Sequence, residues 1–158
     1  MNTLVNPPGT PATALVLRRT LDASPETAFA AWADPDHVRE WWHPEGFTTP
    51  SFEMDFRVGG QYRYCIRKDG NDGWARGTYR EIVAPRRIVF TFRWEKDDLS
   101  NEGETLITVT FEPEGDRTRL TFRQEPFADG ASRHNHGQGW KQVLDAFDAF
   151  VATTKARP

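Results

Sequence analysis

Apolar and polar residues alternate with a period of two through the middle of the chain, from Phe47 to Gln124. Tyr62, Tyr64 and Ile66, for example, alternate with arginine and cysteine. This alternation is typical of antiparallel strands that bury one face. The turn signals that divide the region leave connections too short for parallel crossovers, so the pattern predicts six strands joined as a meander.

A further strand and two short helices are predicted before the meander. Residues 14–21 form an apolar-rich run that favours a strand. Ser24 followed by Pro25, and Asp34 followed by Pro35, each combine a helix-capping side chain with proline at the first helical position. Two helices in tandem are therefore expected after the first strand.

The C-terminal segment has the apolar spacing of one long helix. Trp140, Leu144, Phe147 and Val151 recur at intervals of three and four residues, with charged residues between them. Residues 125–135 are expected to form the loop that leads into this helix. Its apolar side has to be buried, and the apolar face of the sheet is the surface that can cover it. The sequence therefore predicts an α+β domain in the order β-α-α-β6-α.

Composition narrows the class of protein. Hydrophobic residues make up only 37% of the chain, yet it contains 6 Trp and 11 Phe, which predicts a core of a few large rings. A net charge of -3 provides no basic field for nucleic acid or anionic membrane. The chain also lacks an apolar run long enough to span a bilayer. The single cysteine, Cys65, excludes an internal disulfide, and a cytoplasmic location is expected.

The first residues of the chain are rich in proline and are expected to be a flexible arm. Pro7, Pro8 and Pro11 can neither pair inside a sheet nor continue a helix. Residues 1–13 are therefore assigned to the arm and residues 14–158 to a single domain.

Short motifs occur in a fixed order along nearly the whole predicted domain. They are Trp32-x-Asp34-Pro35, Trp41-Trp42, Asp55-x-Arg57-x-Gly59-Gly60, Gly77-x-Tyr79-x-Glu81-Ile82 and His136-x-x-Gly139-Trp140. With the element order, this set resembles the START-like (SRPBCC, helix-grip) superfamily. Within it, the chain is most similar to the family named after the C-terminal domain of the heat-shock protein 90 ATPase activator.

The resemblance implies a curved antiparallel sheet of about seven strands that wraps a long C-terminal helix and leaves a cavity between them. The superfamily includes lipid carriers, hormone receptors and polyketide cyclases, which share a pocket for an apolar or aromatic molecule. The function expected here is reversible binding of such a molecule. Large rings usually line such gaps, so the residues expected near the cavity are Trp41, Trp42, Tyr64, Phe92 and Trp140.

Asp55 and Arg57 are further ligand-binding candidates, and their position depends on the strand register. A two-residue turn sets Asp55 opposite Tyr64 and directs both charges into the pocket. A three-residue turn sets Met54 opposite Tyr64 and keeps the charges outside. Apolar matching favours the second register, because a buried charge is costly unless it is paired.

The residues predict no catalytic group, metal site or cofactor. His134 and His136 form the only closely spaced histidine pair, and no third ligand is fixed beside them. One alternative is a non-covalent acid/base enzyme that uses Asp55, Arg57, Tyr64 or His136. Another is a chaperone-interacting module of the kind that the family name suggests. No nucleic-acid or membrane partner is expected, and both a monomer and a homodimer remain open.

Overall fold

The computed structural model describes residues 9–95, 103–127 and 130–156. Within them, seven strands and three helices follow the predicted order. The elements are β1 Leu15–Leu21, α1 Pro25–Ala33, α2 Pro35–Trp41, β2 Thr48–Met54, β3 Gln61–Lys68, β4 Asn71–Val83, β5 Arg87–Trp94, β6 Thr105–Glu114, β7 Arg117–Glu125 and α3 Gly130–Ala156. The α+β helix-grip fold is confirmed.

The strands form one antiparallel sheet in the order β1-β7-β6-β5-β4-β3-β2. Strands β2 to β7 are the predicted meander, and β1 joins its far edge, where Leu15 lies opposite Gln124. Alternate residues of the strands form a continuous apolar inner face, on which α3 packs through Leu144 and Phe147. The long helix therefore lies across the sheet as its amphipathic pattern predicts.

The starts of α1 and α2 confirm the capping signals. The Ser24 hydroxyl accepts a hydrogen bond from the Thr27 amide at 3.2 Å. The Asp34 carboxylate accepts one from the Asp36 amide at 2.9 Å. Each cap satisfies an amide that would otherwise lack a partner in the first helical turn.

The start of α3 differs from the prediction. The helix begins at Gly130, so the expected loop over residues 125–135 is wrong in its second half. The first turns of α3 contain mainly glycine and polar residues, which show no apolar periodicity. Among the described residues, no helix combines the length and apolar content that crossing a bilayer requires.

Neither predicted register at the β2–β3 connection is correct. Met54 lies opposite Tyr62, and Phe52 lies opposite Tyr64. The connection therefore comprises residues 55–60 rather than a turn of two or three residues. The Phe52 and Tyr64 rings stack at 5.3 Å with an angle of 5° between their planes, which favours this longer connection.

The compact shape of this connection depends on glycine. Gly59 has a φ of 86°, in the region that favours glycine, and its amide donates to the Tyr79 carbonyl at 2.8 Å. A Cβ at position 60 would lie 2.0 Å from the Asp55 carbonyl oxygen. The loop thus folds back on itself where no other residue fits.

The predicted Pro-rich arm is described only from residue 9, and residues 1–8 lie outside the described residues. The Phe127 amide donates to the Thr13 carbonyl at 2.8 Å. Arg133 donates to the Ala12 carbonyl, also at 2.8 Å. The chain is therefore attached to the fold at residues 12 and 13, and flexibility of the arm stays a prediction.

Candidate functional site

A cavity of about 320 Å³ lies between the inner face of the sheet and α3. Its lining residues are Trp42, Pro44, Tyr64, Ile66, Phe92, Trp94, Asn135, His136, Gly139, Trp140 and Val143. The residues from β3 and from β5 are two positions apart, which places them on one face of each strand. Those from α3 lie along one stripe of the helix. Local periodicity therefore assembles the wall of the cavity.

Four aromatic rings form the inner part of this wall. The Trp42 and Trp140 rings meet edge to face, with centroids 5.5 Å apart and planes at 87°. Phe92 contacts Trp140 at 5.5 Å, and Tyr64 contacts Trp42 at 5.6 Å, both in edge arrangements. Such contacts hold the rings in fixed orientations and leave some of their faces toward the open space.

Two neutral polar groups lie within this aromatic wall. Burial raises the pKa of the Tyr64 phenol well above its usual value, and the nearby Trp42 indole N–H opposes that rise. The phenol therefore stays protonated at neutral pH and can donate a hydrogen bond. The Trp42 N–H is itself buried and has no acceptor at hydrogen-bonding geometry among the described residues. The Tyr64 hydroxyl is thus a neutral donor in this wall, whereas the Trp42 N–H is buried out of contact with the open space.

A chain of buried hydrogen bonds fixes the Trp140 ring. Its indole N–H donates to the Gln124 side-chain oxygen at 2.7 Å. The Gln124 amide then donates to the Thr105 hydroxyl at 2.8 Å, and Thr105 donates to the Phe92 carbonyl at 3.3 Å. Gln124 is fully buried, so this network ties α3 to β5, β6 and β7 beside the cavity.

His136 lies on the α3 side of the cavity. Its ring centroid is 5.0 Å from that of Phe127 and 6.0 Å from that of Phe92. The imidazole thus packs among apolar rings at the cavity wall. Across the described ranges, no three His, Cys, Asp or Glu side chains converge as metal ligands would.

The structure brings four of the seven predicted site residues to the cavity: Trp42, Tyr64, Phe92 and Trp140. Trp41 lies in the core instead. Its side chain is fully buried, and its ring is 4.8 Å from Trp32 and 4.6 Å from Phe147. Its indole N–H donates to the Ala31 carbonyl at 3.2 Å. Trp41 therefore supports the Trp42 wall from behind.

Asp55 and Arg57 do not line this cavity. They lie in the exposed β2–β3 connection, where the Arg57 guanidinium contacts the Asp55 carboxylate at 2.7 Å. Their side chains are 55% and 69% exposed, respectively. Asp55 borders a polar groove that also contains the outward-facing Arg63, Arg76 and Arg93 of the sheet. A ligand role for the pair stays a prediction.

Several lining residues were not among the predicted site residues. Ile66 and Trp94 each lie two positions after a predicted one, so strand alternation was a usable signal. Gly139 and Val143 follow His136 at helical spacing inside the predicted helix, so the helical period was a usable signal for them as well. Pro44 lies in a connection, where no periodic signal exists.

One protein-family model matches most of the chain. The family model described as "Activator of Hsp90 ATPase homolog 1-like protein" matches residues 22–152, a range that contains every cavity-lining residue. No curated protein matches the chain.

Three solved structures illustrate the similarity. A protein from Chromobacterium violaceum is 33% identical, with a TM-score of 0.81 over 88% of this chain and 96% of that one. The AHSA1 protein from Silicibacter pomeroyi is 26% identical, with a TM-score of 0.79 over 89% and 99% of the two chains. A protein from Rhizobium leguminosarum is 28% identical, with a TM-score of 0.75 over 89% and 94%.

Proposed function

This chain belongs to the family of Activator of Hsp90 ATPase homolog 1-like proteins, and from that premise we propose that it reversibly binds a small aromatic molecule. The binding site is the cavity between the sheet and α3. The observation that carries the proposal is the aromatic wall around an open space of about 320 Å³. This volume falls within the range of about 300–1,000 Å³ that is usual for small-molecule pockets.

The chemistry of the wall favours an apolar guest over water. A buried water molecule needs about two to four polar partners, whereas the inner wall consists mainly of rings and aliphatic groups. An aromatic guest contacts Trp42, Phe92 and Trp140 without leaving polar atoms unsatisfied. Burial of its apolar surface supports micromolar affinity, equivalent to about -8 kcal/mol.

The polar groups of the wall indicate one further property of the ligand. The neutral Tyr64 phenol can donate a hydrogen bond to a ligand, whereas the Trp42 N–H is buried and inaccessible. A ligand that carries one oxygen acceptor satisfies this end of the cavity. Because burial raises the Tyr64 pKa above its ordinary value of about 10, this donor stays protonated at every pH below about 9.

The first experiment uses 2-naphthol as the ligand and measures binding by calorimetry and by quenching of tryptophan fluorescence. The wild-type protein is expected to bind with a micromolar Kd. Val143→Phe fills part of the cavity and is expected to weaken binding at least tenfold. Val83→Phe makes the same change at an exposed position and serves as the control. Absence of saturable binding to the folded wild type, or equal binding by Val143→Phe, would contradict the proposal.

A second variant tests the polar end of the cavity, which the Tyr64 hydroxyl forms. Tyr64→Phe removes the hydroxyl and retains the ring, so affinity for 2-naphthol is expected to fall about five- to tenfold. Affinity for naphthalene, which has no oxygen, is expected to change by less than twofold. Equal losses for both ligands would show that Tyr64 acts through packing alone.

The family description supports a second candidate function, stimulation of the Hsp90 ATPase. Among the described residues, the exposed large hydrophobic side chains are Val58, Val83 and Leu106, on a loop, β4 and β6. Steady-state ATP hydrolysis by Hsp90, with and without this chain, tests this function. A rate increase that Val143→Phe leaves intact would favour the chaperone function over ligand binding.

A further inference from the structure

The cavity continues into a second space at the surface. A groove of about 590 Å³ runs between the β3–β4 hairpin and α3. Four residues line both spaces: Pro44, Ile66, Trp94 and Gly139. The two spaces therefore adjoin, with these residues at the passage between them.

The chemistry changes from one space to the other. The cavity wall is mainly aromatic, whereas the groove adds side chains that can donate or accept hydrogen bonds. These are Lys68, Asp69, Asn71, Asp72, Gln138 and Gln142. A ligand confined to the cavity would reach none of them. A molecule that contacts both spaces needs an apolar part and a polar part.

The charges around the groove favour an uncharged polar part. Arg67 already forms an ion pair with Asp72 at 2.6 Å. The Lys68 ammonium lies over the Phe47 ring at 5.4 Å, and Asp69 is its immediate neighbour in the chain. Among the described residues that line the groove, one cation and one carboxylate thus remain, and their charges cancel. An ionised ligand group would be attracted by one and repelled by the other.

Gly139 keeps the passage open. A Cβ at this position would meet nothing within 4 Å beyond the nearby backbone of its own helix, α3. Glycine is a poor helix former, so helix stability does not explain its presence there. Since Gly139 lines both spaces, a larger side chain at this position would occupy the passage.

From these observations we propose that the ligand has two parts, and that Gly139 is a specificity-determining residue. The aromatic part occupies the cavity, and an uncharged tail bearing hydroxyl or amide groups lies in the groove. This inference rests on the proposed function, because it takes the aromatic part as bound in the cavity.

The test compares 2-naphthol with 2-naphthyl β-D-glucoside, which adds a neutral hydroxylated tail to the same ring. The wild-type protein is expected to bind the glucoside at least tenfold more tightly. Gly139→Leu is expected to lose at least tenfold in affinity for the glucoside and to lose clearly less for 2-naphthol, because only the tail of the glucoside has to pass position 139. Ala149→Leu places the same side chain on an exposed position of α3 and should change neither affinity.

A second variant changes a groove residue that lies in β4 rather than in α3, so that the test does not depend on a substitution in the helix alone. Asn71→Ala removes a hydrogen-bonding side chain from the groove and is expected to weaken glucoside binding three- to tenfold, with 2-naphthol unaffected. Melting temperatures equal to that of the wild type confirm that each variant is folded.

The outcomes separate the two proposals. If the wild type fails to bind 2-naphthol, the proposed function is wrong. If it binds 2-naphthol but binds the glucoside no more tightly, or if Gly139→Leu weakens both equally, the two-part ligand is wrong and the proposed function stands. If 4-(2-naphthyloxy)butanoate binds more tightly than the glucoside, the assignment of an uncharged tail is overturned.

Discussion

Trp140 donates to Gln124, and Gln124 donates to Thr105, in a sequence of hydrogen bonds that no solvent reaches. Trp140→Phe keeps a ring but removes the N–H, which leaves the Gln124 oxygen buried without that donor. The free energy of unfolding is expected to fall by about 1–3 kcal/mol. Trp140→Ala also removes the ring, and the expected loss is about 3–5 kcal/mol. Urea denaturation measures both.

A double-mutant cycle provides the control for this residue pair. Gln124→Leu removes the acceptor, so adding Trp140→Phe to it should cost less than Trp140→Phe costs alone. Strictly additive losses would show that the hydrogen bond contributes nothing beyond the packing of the two side chains.

Gly77 is a further residue whose substitution should be costly. It lies opposite Tyr62, whose hydroxyl donates to the Thr91 carbonyl at 2.6 Å. A Cβ at position 77 would lie 1.8 Å from that same carbonyl oxygen, so Gly77→Ala forces β4 and β5 apart. We expect a loss of about 2–4 kcal/mol by urea denaturation.

Gly73→Ala on the same strand is the matched control, because its Cβ would make ordinary contacts at 3.5 Å and 3.7 Å. If both variants lost the same amount of stability, the contact with the Thr91 carbonyl would not explain the cost of Gly77→Ala.

At the scale of elements, ion pairs on the outer face of the sheet link β3 with β4 and with Glu95, which follows β5. Arg63 of β3 contacts Glu95 at 2.7 Å, and Arg67 of β3 contacts Asp72 of β4 at 2.6 Å. The hydrogen bonds from the guanidinium groups lower the pKa of both carboxyl groups. The acids are thus more easily ionised in the folded protein than in the unfolded chain.

The sign of the pH dependence follows from this direction. A lowered folded-state pKa adds stability above the ordinary carboxyl pKa of about 4, and this stability is lost as the pH falls through the folded-state value. Between pH 5 and pH 2, the melting temperature of the double variant Glu95→Gln/Asp72→Asn should therefore fall less than that of the wild type. Thermal unfolding across that range measures the difference.

The effect of salt checks whether these ion pairs cause the pH dependence. The pairs are partly exposed, so 1 M NaCl should reduce the difference between wild type and variant. Identical pH profiles at low salt would show that these pairs do not contribute to acid sensitivity.

At the scale of the whole molecule, the attachment of the N-terminal segment divides the predicted arm in two. Deletion of residues 1–10 retains the Pro11 carbonyl, which accepts a hydrogen bond from the Ala14 amide at 3.0 Å, and the Ala12 and Thr13 carbonyls, which accept from Arg133 and Phe127. The free energy of unfolding should then stay within about 0.5 kcal/mol of the wild-type value. Deletion of residues 1–13 removes all three acceptors and should cost about 1–3 kcal/mol.

Chemical denaturation of the two truncated proteins distinguishes these cases. A clear loss of stability on deleting residues 1–10 would show that the arm itself contributes to the fold.

Local signals in the sequence determined the helices and strands. Strand alternation, the Ser24 and Asp34 caps and the spacing from Trp140 to Val151 each depend on neighbours only a few residues apart. Such interactions leave their pattern directly in the chain. The same patterns selected Trp42, Tyr64, Phe92 and Trp140, because they placed large rings where the sheet and the long helix meet.

Tertiary structure decided what these patterns left open. Trp41 and Trp42 are adjacent and chemically identical, and only packing directs one into the core and the other into the cavity wall. The connection over residues 55–60 adopts its shape because the Phe52 and Tyr64 rings stack and glycine allows a tight backbone. A register depends on which rings meet, and that is settled only when both strands are in place.

The early start of α3 and the presence of the cavity both follow from how the elements pack. The first turns of the helix carry few apolar residues because part of their surface borders open space rather than core, so the signal that predicts a buried helix is weak there. The cavity is the volume that the packed elements do not fill. Periodicity along the chain therefore determined which side chains face inward, whereas the space between them was decided only by how the sheet, the short helices and α3 pack together.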